Sequence, residues 1–75
     1  MATVTGPIFA KLLRIDEASA TTTYLGYAIP GSSDADPVWR ILRLTVLSTV
    51  TSIKYAGGNT EFSSIWSARA GLSYI

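Results

Sequence analysis

A chain of 75 residues forms one domain, residues 1–75, near the lower size at which a hydrophobic core sustains a fold alone. It contains no cysteine and no histidine, which excludes disulfides, thiolate metal sites and the commonest general base. Net charge is +1 from six basic and five acidic residues scattered along the chain, without the basic stripe that marks nucleic-acid binding.

Residues 1–7 read as an extended N-terminal arm, because Thr3, Val4 and Thr5 favour strand while Gly6-Pro7 interrupts pairing. Such an arm is disordered alone or ordered against a neighbour. Residues 8–15, IFAKLLRI, fit a strand with Phe9, Leu13 and Ile15 on one face, or a helix aligning Ile8, Leu12 and Ile15. Eight residues suit the strand. Asp16 to Ala20 is a polar turn. Residues 21–29 are a strand opened by three threonines, with Tyr24 and Gly26 on one face and Leu25, Tyr27 and Ile29 on the other. Gly26 inside it marks a bulge or a close approach by another backbone. Pro30-Gly31 ends it, and residues 32–37 form a solvated loop. Asp34 and Asp36 fall short of the six to eight oxygens calcium requires.

Residues 38–56 hold the strongest β signal and predict a central hairpin turning near Ser48-Thr49. Its first strand is apolar on both faces, with Ile41 among the anchors, so both sides require cover. On the second strand Ile53 and Tyr55 are expected inward, with Trp39 meeting Tyr55 across the pair. Gly57-Gly58-Asn59 is a tight turn using positive φ. Phe62, Ile65, Trp66 and Arg69 then follow helical spacing, which predicts a short helix over about 60–69, capped by Asn59 or Thr60 and ended by Gly71. Leu72, Tyr74 and Ile75 make a last short strand or a tail that pairs with a neighbour. The fold class is mainly β (α+β): a small antiparallel sheet of about four strands with one short C-terminal helix.

Nothing in the chain has the spacing of a nucleophile–base pair, a phosphate-binding loop or a facing carboxylate pair, so an enzyme is not expected. No cofactor, metal ligand or catalytic residue is assigned. The candidate core or interface anchors are Tyr24, Tyr27, Trp39, Ile41, Tyr55, Phe62, Trp66 and Arg69. The aromatics among them are core residues first, and a glycan- or peptide-binding surface second. Hydrophobic residues make up 48% of the chain and charged ones 15%, below the ~25–35% aimed for on designed surfaces. Eighteen Ser and Thr residues supply most of the polarity. That composition fits a packed subunit, and a homo-oligomer is the physical expectation. Apolar runs are far too short to span a bilayer, and MATVTGPIFAK lacks the pattern of a secretory signal, so no membrane partner is expected.

The segments YLGYAIPG, DPVWRILRL, SIKYAGGN and EFSSIWSARAGLSY together resemble a group of small, mostly uncharacterised proteins of tailed bacteriophages. The likeness spans roughly Tyr24 to Tyr74. It departs from that group's pattern at Tyr55, where tryptophan is common, and at Ser63, Ser64 and Ser67, where Asp or Asn often stand. What the resemblance implies is a virion structural protein; the lack of a secretory signal adds the expectation that it is made in the host bacterial cytoplasm. As a capsid-decorating or cement protein, or a tail component, it would have other virion proteins as its partners. The alternative is a small adhesion module that binds a host glycan or receptor through exposed aromatics.

Overall fold

The computed structural model describes residues 9–75; the expected arm, 1–7, lies outside the described residues. Four strands, β1 (Lys11–Asp16), β2 (Thr22–Ala28), β3 (Arg40–Leu47) and β4 (Val50–Tyr55), form one antiparallel sheet in sequence order. A 3-10 helix, Trp66–Gly71, follows the sheet. The architecture is mainly β, as the alternation of β-branched and aromatic residues predicts.

Local chemistry sets the turns. Between β1 and β2, Ser19 and Thr22 exchange backbone hydrogen bonds of 3.2 and 3.4 Å, and the Ser19 hydroxyl accepts from the Thr21 amide. Between β3 and β4 the connection is Ser48-Thr49, flanked by the pair Leu47 and Val50, with Ser48 at φ 58°. Gly57 and Gly58 both hold φ 71°, which turns the chain back after Ala56.

β1 is irregular. Leu12 pairs with Tyr27 and Arg14 with Gly26, leaving Leu13 as an extra residue in the strand. The expected grouping of Leu13 with Ile15 is therefore corrected: the bulge sends Leu13 to the core, while Ile15 stays exposed on the opposite face.

The register of the hairpin corrects a second expectation. Pairing Leu47 with Val50 places Tyr55 opposite Leu42, so Trp39 lies beyond the end of β4. Trp39 instead exchanges two backbone hydrogen bonds with Ser64, of 2.9 and 3.0 Å. That bridge draws residues around Ser64 into extended form. The helix expected over 60–69 is accordingly shorter and later, and its turns are 3-10 rather than α. Two further causes act together: serines at 63, 64 and 67 are weak helix formers, and one or two turns nucleate poorly. Asn59 does not cap the helix; its side-chain oxygen accepts from the Glu61 amide in a local turn. Ile65 occupies the N-cap position without a side-chain hydrogen bond, and Gly71 is the last helical residue. Tyr74 bridges to Ala56, so the tail pairs with its own chain.

Candidate functional site

The sheet has two faces of different character. One is capped by the C-terminal segment, and its centre is Tyr24, Ala28, Trp39, Ile41, Ala56, Trp66 and Tyr74, with Leu13 and Leu72 packed alongside. The Trp39 and Trp66 rings pack tilted against each other with centroids 5.7 Å apart, as do those of Tyr24 and Tyr74. Gly26 lies beneath the Trp66 ring; a Cβ there would stand 2.6 Å from Trp66 Cε3 and 3.0 Å from Trp39 Cε3. The approach expected at Gly26 is real, but a ring makes it instead of a backbone.

Polar contacts fasten this cap. Arg69 Nε donates to Asp16 Oδ2 at 2.9 Å while its guanidinium lies 4.5 Å from the Trp66 ring centroid. The Trp39 indole N–H donates to Ser33 O at 2.9 Å, and the Ser67 amide donates to Asp34 O. Arg14 pairs with the Asp34 carboxylate at 3.2 Å, an exposed bridge of small energetic weight. Arg43 sits 4.8 Å from the Tyr74 ring centroid, its Nε buried without a hydrogen-bond partner.

Tyr74 donates from its hydroxyl to Arg69 O at 2.7 Å. Burial pushes its phenol up to about 12; neighbouring Tyr24 adds to the rise, while Arg43 and Arg69 oppose it. The folded state therefore holds this proton more tightly than the unfolded chain, whose phenol titrates near 10. Its contribution is complete below about pH 10 and is lost as pH rises toward about 12. Tyr74→Phe is expected to lower stability at neutral pH by about 1 kcal/mol, through the lost hydrogen bond. It should also flatten the alkaline fall. Urea unfolding of both proteins across the alkaline range checks this; an equally steep fall in the variant rules it out.

On the opposite face only Phe62, stacked on Arg40 at the margin, is seen to pack among the described residues beyond the strands. Pairing and alternation place Leu12, Ile15, Leu25, Tyr27, Leu42, Leu44, Val46, Ile53 and Tyr55 on it, together with Thr23, Thr51 and Arg40. Ile15 and Ile53 are 60% and 58% exposed, and Leu12 and Val46 are also exposed. The expectation that Ile53 and Tyr55 point inward is thus corrected. They face away from the capped core, because they share the parity of Leu42 and Leu44.

Charge is divided between the faces. Of the charged strand residues, Lys11, Arg14, Asp16, Arg43 and Lys54 lie on the capped side, and only Arg40 lies on the open one. Arg40 is turned to the margin, its Nε donating to Thr60 O at 2.8 Å and its guanidinium 4.3 Å from the Phe62 ring centroid. Where the capped side extends past the cap it carries Thr45, Ser52 and Lys54 beside Leu47 and Val50, which are exposed at the hairpin tip. The open face differs in having its apolar residues on all four strands, with Thr23, Thr51 and Arg40 as its polar members.

The eight residues singled out from the sequence therefore divide. Tyr24, Trp39, Ile41 and Trp66 belong to the capped core, Arg69 lies half-buried over Trp66, Tyr27 and Tyr55 are half-buried on the open face, and Phe62 stacks on Arg40. Leu12, Ile15, Leu25, Leu42, Leu44, Val46 and Ile53 make up the rest of the open face and were not singled out as a group. Counting pairs outward from the Leu47–Val50 turn would have found those of β3 and β4. No cavity opens among the described residues, none of their helices is long and apolar enough to cross a membrane, and no cluster of acidic groups there could hold a metal. Comparison with protein-family models, curated proteins and solved structures finds no match.

Proposed function

We propose that this chain is a structural subunit, present in many copies and held in place by protein–protein contacts, and that its setting is a bacteriophage virion. The open apolar face carries the first part. Nine apolar or aromatic side chains with one marginal charge form a surface suited to another protein rather than to water. The resemblance across Tyr24 to Tyr74 supports the second part and leaves capsid decoration, cement and tail as the places to look. Mass spectrometry of purified particles from the phage encoding this chain tests the reading: stoichiometric presence is expected, and absence would overturn it. The adhesion alternative has less support, since Trp39 and Trp66 are both buried and offer no ring face to a ligand.

A further inference from the structure

We propose that the open face of the sheet is covered by the same face of a second copy, giving a two-fold sandwich of two sheets with a cap on each outer side. This assigns the subunit contact that the multi-copy reading requires, and it rests on that reading. Stable domains are built from packed layers, and a sheet apolar on both faces needs a layer on each. The C-terminal segment supplies one layer; among the described residues only Phe62, at the margin on Arg40, reaches the other face.

Three observations select a second copy. The first is charge. The face carries a single guanidinium, tied at its margin to Thr60 and Phe62, so two copies meet without repulsion, and a charged partner finds nothing to pair with. The second is area. Four strands about 4.8 Å apart, each about six residues of about 3.3 Å, make a face of roughly 19 by 20 Å. With pleated side chains interdigitated, two such faces bury on the order of 1,000 Å², the lower bound for a specific interface. The third is side-chain chemistry. Leu, Ile and Val on both inner faces, with Tyr27 and Tyr55 among them, are what an aligned sandwich interleaves at about −30° between sheets.

The test is sedimentation equilibrium on the full chain over a wide micromolar range, with three variants. The unaltered chain is expected to be a dimer. Ile53→Lys on β4 and Ile15→Lys on β1 each place a charge in the contact and should raise the dissociation constant at least about tenfold. Leu47→Ser, at an 82% exposed position on the capped side of the hairpin tip, should leave it unchanged. Circular dichroism establishes that each variant is folded. If a lysine variant unfolds, the methyls of Leu42 and Leu44 in the unaltered chain decide by their accessibility to a paramagnetic probe: shielding is expected, and full accessibility overturns the proposal. A monomeric chain, or a dimer indifferent to both lysines, also overturns it. A monomer that is nonetheless a particle component would sink only this contact, whereas a dimer absent from particles would sink only the virion setting.

Discussion

Gly26→Ala is expected to destabilise the domain by about 3 kcal/mol, at the severe end for a single added methyl group. The new Cβ would stand 2.6 Å from Trp66 Cε3 and 2.7 Å from Cζ3, inside any real contact distance, with Trp39 Cε3 at 3.0 Å closing the other side. The indole cannot swing away freely, because Arg69 stacks on it and is itself held by Asp16. A domain of this length holds roughly 4–11 kcal/mol in total, so the loss is a large share. Urea and thermal unfolding measure it, and a change under about 1 kcal/mol would refute the packing described here. The clashing atoms belong to the six-membered ring of the indole. Trp66→Phe in the Gly26→Ala background should therefore recover part of the loss, a coupling of about 1 kcal/mol in a double-mutant cycle.

Trp66→Ala and Trp39→Ala are each expected to cost about 3–5 kcal/mol, enough to leave the chain largely unfolded. Trp39→Ala removes the indole–Ser33 hydrogen bond as well as the ring, and should be the worse of the two. Phe62→Ala sets the scale, since that ring is half-buried and packs on Arg40. It should cost about 1 kcal/mol. Had Phe62 and Trp66 shared one face of a docked helix, the two substitutions would cost alike. Equal losses in chemical denaturation would restore that arrangement; a clear gap supports the present one.

Much of the sheet was legible because its signals are local. Thr22 and Thr23 start β2, Pro30-Gly31 stops the chain after it, and Ser48-Thr49 joins two β-forming runs. The alternation of Tyr24 and Gly26 against Leu25 and Tyr27 gave the faces of β2 correctly. What escaped depends on contacts distant in sequence. The spacing of Phe62, Ile65, Trp66 and Arg69 is helical, but the ladder contact between Ser64 and Trp39 overrides it. The bulge at Leu13 shifts one residue of β1 between faces, and nothing in KLLRI announces it. The double-sided apolarity of β3 did point to an uncovered face. It took the pairing of Leu44 with Ile53 to show which side lacked cover.

The paired indoles give the molecule a built-in optical gauge. The chain has two tryptophans, one at the margin of the sheet and one in the cap, and both are buried. With the rings 5.7 Å apart at a 36° tilt, their transitions are expected to couple and give an exciton signal that neither indole produces alone. Lifting the cap separates the chromophores and abolishes the signal even where the four strands stay paired. Far-ultraviolet dichroism at one wavelength therefore follows cap closure, while the amide bands follow the sheet. The order in which the two layers assemble can be timed in the unaltered protein, without a label.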